Sequence, residues 1–310
     1  MVMEMRKAYV SALAEAMKNN DKIVVLDADL ASAGGTKPLY TQFPDRAIEV
    51  GIAEDNMTCV ATGMAAYGYI PFIHSFAPFS VRRNFDQIAV SISYSCQNVK
   101  IVGYDPGVTA TTNGGTHMCF EDIAMLRALP NIVVMDIVDP VQLAKAVPFV
   151  IEHKGPVYMR FARKQTDTLF DENYRFNPNK ADIIREGKDL TLVASGAMVF
   201  EALKGADKLK EQGIEAEVIS VHTVKPLDEE TIQQSAKKTG CVLTVENHSV
   251  HGGLFGAVTE MFARTNPTPC DAIAIYDRIG QVGNLEELMK DYNLTADDIA
   301  KKAIELIKRK

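Results

Sequence analysis

Two adjacent carboxylates open an apolar stretch of the chain and are the first candidates for chemistry. Glu54 and Asp55 lie in GIAEDNM, residues 51–57, and the next charged residue is Arg82. Acids in the first turn of a helix offset its unpaired N–H groups and its dipole by about 0.3–1 kcal/mol, which is the structural explanation. The chemical explanation is that Glu54 lies in a dry pocket and shares a proton with a nitrogen atom of a ligand.

A second segment, HSFAPFSVRRNFDQI at residues 74–88, combines aromatic and basic side chains. Phe76 and Phe79 are three residues apart, so on one helical turn they would share a face and stack on a flat ring. Arg82 follows at the same spacing and would border that ring. Core packing is the commoner role of a phenylalanine pair with this spacing, so the segment alone does not decide between the two.

A third segment, TATTNGGTHMCFED at residues 109–122, contains a glycine pair and a histidine. The Asn-Gly-Gly sequence at 113–115 predicts a tight, flexible loop that carries His117 toward a helix starting near Phe120. Neither a Walker pattern nor GxGxxG is present, so the glycines do not indicate a phosphate loop. Taken alone, His117 is equally compatible with a capping role and with a catalytic one.

Short apolar runs alternate with helical patterns along the chain and must position these residues. Predicted strands occupy residues 22–28, 69–75, 98–104, 131–137 and 155–161, then 190–196, 215–223, 241–247 and 271–277. Continuous apolar strands between helices indicate parallel sheets that are covered on both sides. We therefore predict an α/β protein with two open, mostly parallel sheet domains and helices on both faces, with ligands beyond the carboxyl ends of the strands.

A polar stretch at residues 163–189 separates the two series of strands and indicates a crossing between domains. We predict a first domain at 1–167, a linker at 168–187 and a second domain at 188–310. The closing segment TADDIAKKAIELIKRK predicts a final helix, with Thr295 as its N-cap and two aspartates in its first turn.

The composition excludes several classes of protein. Of the 310 residues, 47% are hydrophobic and 24% charged, as in soluble globular proteins, and the net charge of −7 argues against nucleic acid and anionic membranes as partners. The uncharged stretch at 57–81 is interrupted by Gly, Pro and His, so it does not predict a membrane span. The first residues carry charges throughout and lack the apolar core of a signal peptide, so we expect a cytoplasmic protein.

The five cysteines form no CxxC pair and no Cys/His cluster with zinc spacing. Cys59, Cys96 and Cys241 lie in apolar runs, where core packing is expected. We therefore expect reduced thiols and no structural metal.

Together these segments resemble the transketolase family of thiamine diphosphate enzymes, over nearly the whole chain. EVGIAEDNM at 49–57 is similar to the family's VGIAEQNM element, and residues 74–88 are similar to its TFxxFxxRxxDQI element. HTVKPLDEETI at 222–232 and VENHSVHGGLFGAV at 245–258 resemble elements of its C-terminal domain. The resemblance implies the pyrimidine-binding and C-terminal domains that form the C-terminal half of a full-length transketolase.

The resemblance assigns cofactor-binding roles to several residues. Glu54 would hydrogen-bond N1′ of the aminopyrimidine, which makes the 4′-imine basic enough to take the C2 proton of the thiazolium. Phe76 and Phe79 would stack on the pyrimidine with Arg82 beside them. Asp29, in DADL, matches an acid near the cationic thiazolium.

The family binds the diphosphate and its metal through a GDG motif followed by an Asn, and the sequence contains no GDG. The resemblance therefore implies the C-terminal subunit of a split transketolase. A separate N-terminal subunit would carry that motif and bind Mg²⁺ or Ca²⁺, in an α2β2 heterotetramer.

The substrate loop departs from the family pattern ATHxxIxxGEDGPTHQ. Asp105 stands where a histidine contacts the substrate phosphate, and Asn113 stands where an acid binds near the C2 hydroxyl of the sugar. His117 is kept as a catalytic and substrate-binding residue, and Arg163 matches an arginine at the phosphate end. We expect His74 to face the same cavity, and the donor to be a branched ketose, a deoxy ketose, or one with a different anionic group.

The leading hypothesis is thus the transfer of a two-carbon ketol unit from a ketose, phosphorylated or not, to an aldose phosphate. Alternatives are an enzyme similar to 1-deoxyxylulose-5-phosphate synthase and a β-type subunit of a 2-oxo-acid dehydrogenase. A non-catalytic regulatory subunit that has kept the fold is a hypothesis of a different class.

Overall fold

The computed structural model describes residues 3–310, and these form two compact units. The first unit runs to Pro106 and resumes at Met125–Phe176, and the second comprises Gly107–Ala124 and Asn177–Lys310.

Residues 107–124 therefore group with the second unit by their contacts, although they lie inside the range 1–167 that we predict from the sequence as the first domain. Backbone contacts within that unit explain the difference. The N–H of Val108 donates to Asn247 Oδ1 at 2.9 Å, and the N–H of Ser249 donates to the carbonyl of Phe120 at 2.7 Å.

The first unit contains a parallel sheet. Its strands are β1 (Met3–Glu4), β2 (Ile23–Asp27), β3 (Ala47–Glu49), β4 (Ile70–Phe76), β5 (Lys100–Tyr104), β6 (Val133–Asp136), β7 (Val157–Phe161) and β8 (Gln165–Thr166). Within this unit they follow the order β6–β7–β5–β4–β2–β3, all parallel, while β1 and β8 form a separate antiparallel pair. Every residue of β2, β5 and β7 is buried, as expected of a parallel sheet.

Helices connect these strands. They are α1 (Met5–Asn19), α2 (Ala31–Gly34), α3 (Lys37–Gln42), α4 (Glu54–Ala66), α5 (Phe85–Gln87), α6 (Asp122–Ala128) and α7 (Pro140–Glu152), with π-helical turns at Pro78–Arg82 and Ile88–Tyr94. The first three residues of α6 belong to the second unit, and the rest to the first. Helix α1 buries Tyr9, Leu13 and Met17 at a spacing of four residues, which places one apolar face against the sheet. The side chain of Asp139 caps α7 by accepting from the N–H of Gln142 at 2.7 Å.

The second unit repeats the α/β pattern. Its strands are β9 (Asp182–Arg185), β10 (Leu190–Ala194), β11 (Ala216–Ser220), β12 (Thr223–Lys225), β13 (Val242–Ser249) and β14 (Cys270–Ile275). The sheet order is β14–β13–β10–β11–β9, parallel except for β9, which runs antiparallel to β11. The helices are α8 (Met198–Lys210), α9 (Glu229–Thr239), α10 (Leu254–Arg264), α11 (Leu285–Asp291) and α12 (Ala296–Ile307).

The main elements predicted from the sequence are confirmed. Each of the nine predicted apolar runs contains a strand, and the final helix begins after Thr295. Thr295 and Asp298 form a reciprocal capping box there. The helix expected near Phe120 begins two residues later, at Asp122.

The cysteine prediction is right for only one of its three core positions. Cys241 is buried, but Cys59 and Cys96 are exposed, because the apolar runs around them have one face at the surface of the first unit. All five thiols are free. Within residues 3–310, none of the helices combines the length and the apolar character that crossing a membrane requires.

Candidate functional site

Glu54 is the first residue of α4, and its side chain is only 2% exposed. Its Oε2 accepts a hydrogen bond from Arg83 Nη1 at 2.7 Å, and its Oε1 accepts one from Ser75 Oγ at 3.4 Å. Asp55, the next residue, is exposed. The two acids of the first turn therefore face different environments, and only Glu54 is held inside the unit.

Phe79 and Arg83 complete a group that we call the first stack: Phe79, Arg83 and Glu54. The guanidinium carbon of Arg83 lies 4.1 Å from the centroid of the Phe79 ring, a cation–π contact, while its Nη1 reaches Glu54. Arg83 rather than Arg82 takes this position, and Arg82 is exposed. The spacing is compatible with this contact, because Arg83 is four residues after Phe79 and residues i and i+4 lie on the same side of a helical turn.

The prediction that Phe76 and Phe79 share one helical turn is wrong. Phe76 is the last residue of β4, and Phe79 lies in the following π-helical turn. Their rings still meet, edge to face, with centroids 6.3 Å apart and an interplanar angle of 67°. The direct continuation from strand into turn brings the two rings together.

A second stack, adjacent to the first, comprises Phe76, Arg163 and Asp105. The guanidinium carbon of Arg163 lies 4.9 Å from the centroid of the Phe76 ring. Asp105 is 1% exposed, and its carboxylate accepts from Arg163 Nε at 2.5 Å and from the Arg163 backbone N–H at 2.9 Å. Arg163 Nη1 also donates to the carbonyl of Ala33 at 3.3 Å, so several bonds fix the arginine.

Asp29 lies in the loop after β2, at the carboxyl edge of the sheet. It is exposed and has a left-handed backbone, with φ of 58°. Its N–H donates to Glu49 Oε1 at 2.7 Å, and the same oxygen accepts from the N–H of Gly51 at 2.9 Å. Glu49 thus ties the loop that carries Asp29 to the loop that leads into Glu54.

His74 does not lie on the substrate-facing surface that the sequence led us to expect. It is fully buried in β4, where Nε2 is 2.7 Å from the Tyr9 hydroxyl and Nδ1 is 3.2 Å from the carbonyl of Leu26. Burial lowers the pKa of His74 to about 4. With both ring nitrogens bonded inside the core, this histidine has a structural role.

Asp27 is the register partner of His74 on the neighbouring strand. Burial raises the pKa of Asp27 to about 7, although the hydroxyls of Thr36 and Tyr40 donate to its Oδ2 at 2.8 and 3.1 Å. A carboxyl of raised pKa and an imidazole of lowered pKa therefore lie side by side in the core.

The predicted substrate loop forms two 3-10 turns of the second unit, Gly107–Asn113 and Gly115–His117. Thr111 has φ of 50° and ψ of −122°, a conformation that costs a non-glycine residue energy and that is common at functional sites. Asn113 is exposed, and Nδ1 of the half-buried His117 is 3.0 Å from the Thr116 hydroxyl.

The entry to this loop is fixed within the second unit. The N–H of Gly107 donates to the carbonyl of Cys119 at 3.0 Å, and Asn247 Oδ1 accepts from Val108. A Cβ atom at Gly107 would lie 2.1 Å from that same oxygen, so glycine is required at this point.

Sequence reasoning missed three residues of the first unit that contact the predicted ones: Ser75, Arg83 and Glu49. Each is adjacent to a residue or motif that was identified, since Ser75 precedes Phe76 and Arg83 follows Arg82. Glu49 is the first residue of EVGIAEDNM. Within residues 3–310, three or more Asp, Glu, His or Cys side chains nowhere come close enough to hold a metal ion.

Family comparisons agree with this architecture. The family model described as the transketolase pyrimidine binding domain matches residues 1–168, and that of the transketolase C-terminal domain matches residues 179–299. A split gene transketolase, whose structure is described as an inactive beta4 tetramer, is 38% identical with a TM-score of 0.92, and 99% of each chain is covered.

Two relatives match along nearly their whole length. The 6-deoxy-6-sulfo-D-fructose transketolase subunit SqwH of Clostridium sp. (strain MSTE9) is 47% identical over 306 residues, which cover 99% of this chain and 95% of the relative. A subunit of the apulose-4-phosphate transketolase of Phocaeicola vulgatus is 33% identical, over 98% of this chain and 97% of the relative. The chain therefore belongs to the transketolase family of thiamine diphosphate-dependent transferases, as the C-terminal subunit of a split transketolase.

Proposed function

We propose that the chain forms an active transketolase with an N-terminal subunit that carries the GDG and Asn motif. That partner binds Mg²⁺ or Ca²⁺ with the diphosphate, and two copies of each chain form an α2β2 heterotetramer. The relative described as an inactive beta4 tetramer supports the need for a second kind of subunit. The free, exposed thiols of Cys59 and Cys96 suit a reducing compartment, the cytoplasm.

The first stack fits the aminopyrimidine ring of thiamine diphosphate. A planar guanidinium with N–H donors lies on Phe79 and donates to the buried Glu54 at 2.7 Å. An aminopyrimidine is also planar and presents nitrogen atoms at its edge, so the same two side chains suit its shape and polarity. This buried carboxyl beside an aromatic face is the observation that carries the proposal.

Thiamine diphosphate supplies the carbanion chemistry of two-carbon transfer when it is bound. Glu54 would hold a proton at its carboxyl and share it with N1′ of the pyrimidine. Ser75 supports this role by donating to Oε1 of Glu54. Phe76 and Phe79 would border the ring and keep water from the shared proton.

We assign the rest of the cofactor and the sugar to other residues of the chain. Asp29 would lie near the cationic thiazolium, and Arg82 beside the pyrimidine. His117 would act on the sugar, together with the exposed amide of Asn113. Arg163 would bind the anionic end of the donor, because its guanidinium is already held in one orientation.

The reaction moves two carbons from a ketose to an aldose phosphate, and the donor leaves as an aldose two carbons shorter. We propose 6-deoxy-6-sulfo-D-fructose as the donor, on the strength of the 47% identity to a transketolase chain whose name includes that sugar. A second candidate is apulose 4-phosphate, a branched ketose, which the relative at 33% identity supports.

A donor screen of the reconstituted pair of subunits tests this function. The chain is co-expressed with its N-terminal partner, supplied with thiamine diphosphate, Mg²⁺ and glyceraldehyde 3-phosphate, and offered each donor. We expect the shorter sulfonated aldose and xylulose 5-phosphate in equal amounts from the sulfonated ketose. Failure with every ketose would favour the non-catalytic subunit. Xylulose 5-phosphate is assayed with ribose 5-phosphate as the acceptor, because its transfer to glyceraldehyde 3-phosphate would only regenerate the starting pair. Transfer from xylulose 5-phosphate alone would indicate an ordinary transketolase.

A further inference from the structure

Asp105 does not replace the expected histidine as a direct contact for the donor anion. Its carboxylate is buried, and both oxygens bind Arg163, one at the backbone N–H and one at Nε. Its own N–H donates to the carbonyl of Phe161 at 3.1 Å, and its φ is 49°. Asp105 therefore helps to hold the Arg163 side chain in place.

The contacts that hold Arg163 leave one side of its guanidinium for a ligand. Asp105 occupies the Nε side, Ala33 accepts from Nη1, and the Phe76 ring lies against the plane. Nη2 is the donor that these contacts do not use, and the Arg163 side chain is 15% exposed. A tetrahedral anion would therefore approach along this edge.

The net charge of the Arg163–Asp105 ion pair determines which anion binds better. Arg163 contributes one positive charge and Asp105 one negative charge, so the group offers hydrogen bonds without excess positive charge. A phosphate monoester carries about −1.5 to −2 at neutral pH, whereas a sulfonate carries a single charge. Since Asp105 repels the additional charge of the phosphate in a partly buried setting, the sulfonate is the better ligand.

We propose that Asp105 is the positioning residue that orients Arg163 and selects a monoanionic, sulfonate-type end group on the donor ketose. The inference rests on the proposed function, and it extends that function by naming the residue that sets the choice. In this arrangement Asp105 itself does not touch the donor.

The test compares two donors in the reconstituted complex, 6-deoxy-6-sulfo-D-fructose and fructose 6-phosphate. Asp105→Asn and Asp105→Gly both remove the charge, and both residue types tolerate a positive φ, so each variant should fold. Wild type should favour the sulfonate about tenfold or more in kcat/KM. Both variants should shift the ratio toward the phosphate by about tenfold, mainly through KM.

Asp136→Asn is the matched control, because Asp136 pairs with Arg160 at 3.0 Å in another buried ion pair of the first unit. It should lower stability and leave the donor ratio unchanged. An equal loss of kcat/KM for both donors in the Asp105 variants would show a merely structural role of Asp105 and overturn the inference. A phosphate preference in wild type would also overturn it, while transfer from neither donor would overturn the proposed function itself.

A separate observation concerns Arg83, and it is independent of the donor. Its guanidinium lies on Phe79 and binds Glu54, the two groups that we assign to the pyrimidine, yet its side chain is 42% exposed. Glu54, by contrast, is buried and cannot turn away. We infer that Arg83 competes with the pyrimidine for these groups and moves aside when the cofactor binds.

Calorimetry of thiamine diphosphate binding to the reconstituted complex tests this competition. Arg83→Gln should bind the cofactor about tenfold more tightly, and the variant chain alone should unfold more easily because the buried Glu54 loses its cation. Arg185→Gln, which removes an arginine–aspartate pair in the second unit, is the control and should leave the affinity unchanged. Weaker or unchanged cofactor binding by Arg83→Gln would overturn the inference.

Discussion

Phe76 and Phe79 meet edge to face, 6.3 Å between ring centroids, and each ring carries an arginine that is bound to a buried carboxylate. One of these arginines is Arg83 and the other is Arg163. A single strand-to-turn segment therefore supports two adjacent groups of the same composition. We assign one group to the pyrimidine of the cofactor and the other to the anion of the donor.

The first prediction concerns Glu54→Gln in the reconstituted complex. An amide cannot supply the carboxyl proton to N1′, so exchange of the cofactor's C2 proton should slow about 10²–10⁴-fold while the fold is kept. Exchange is followed by NMR after mixing with D₂O. Asp55→Asn, in the same helical turn but exposed, is the control, and near-normal exchange in Glu54→Gln would count against the assignment.

The second prediction concerns the pH dependence of stability. Because burial lowers the pKa of His74 to about 4, the unfolded chain takes up a proton near pH 6.5 and the folded chain does not. The contribution of His74 to the free energy of unfolding is therefore complete above pH 6.5 and is lost as the pH falls to 4. Asp27 opposes this trend, since its raised pKa of about 7 adds stability at low pH that is lost as the pH rises.

His74→Gln separates the two contributions. Between pH 7 and pH 5, the free energy of unfolding should fall about 2 kcal/mol less in this variant than in wild type. Urea titrations at the two pH values give the comparison, with the exposed His251→Gln as control. An identical pH dependence in His74→Gln and wild type would exclude a neutral, buried imidazole.

The third prediction concerns Gly253, at the start of α10. The buried Glu246 carboxylate accepts from the N–H groups of Leu254 and Phe255 at 2.6 and 2.8 Å, and a Cβ at Gly253 would lie 2.1 Å from that carboxylate. Gly253→Ala should therefore cost about 3 kcal/mol of unfolding free energy, measured in urea. The control is Gly63→Ala.

Gly63 lies in α4, and no heavy atom of residues 3–310 outside its own helical neighbourhood comes within 4 Å of an added Cβ. Gly63→Ala should therefore leave stability unchanged or raise it by up to about 1 kcal/mol. If Gly253→Ala lowers the free energy of unfolding no more than Gly63→Ala does, the Glu246 carboxylate at the start of α10 is not rigidly held.

The fourth prediction concerns Asp105 and Asn113, the two residues that depart from the family pattern. The double variant Asp105→His with Asn113→Asp should recover part of an about ten- to hundredfold deficit in kcat/KM for xylulose 5-phosphate. The physical reason is the loss of the negative charge of Asp105 beside Arg163, which otherwise repels the second charge of a phosphate, together with a carboxylate acceptor in place of the amide at residue 113. If wild type already uses xylulose 5-phosphate as well as any other ketose, and the double variant is no better, these residues do not select the donor.

The sequence predicted the sheets better than the contacts at their edges. Nine strands were predicted because buried parallel strands are continuous apolar runs, and this signal does not depend on tertiary structure. Short strands such as β3 and β9 were missed because three or four half-exposed residues carry no such pattern. The grouping of residues 107–124 with the second unit was not anticipated, because their contacts with Asn247 and Ser249 join distant parts of the chain.

For the candidate site too, the sequence indicated residues more reliably than their contacts. Glu54 and the two phenylalanines were proposed from motifs, and in the structure Arg83 joins Glu54 to Phe79, whose ring meets that of Phe76. Arg83 was missed because the sequence analysis followed only the spacing of three residues from Phe79 to Arg82, whereas the contact on Phe79 uses the spacing of four. His74 was expected at the substrate because it lies at the carboxyl end of a predicted strand, in a segment that resembles the family, whereas Tyr9 and Leu26 satisfy its ring nitrogens within the core.

The central claim is that this chain holds one end of thiamine diphosphate and needs a second subunit to bind the cofactor. Calorimetry tests it most directly, by titrating thiamine diphosphate with Mg²⁺ into the chain alone, the N-terminal subunit alone and the mixture. We predict tight binding, with a Kd of about 1 μM or below, in the mixture only. Tight, magnesium-dependent binding by the pure 310-residue chain would contradict the account.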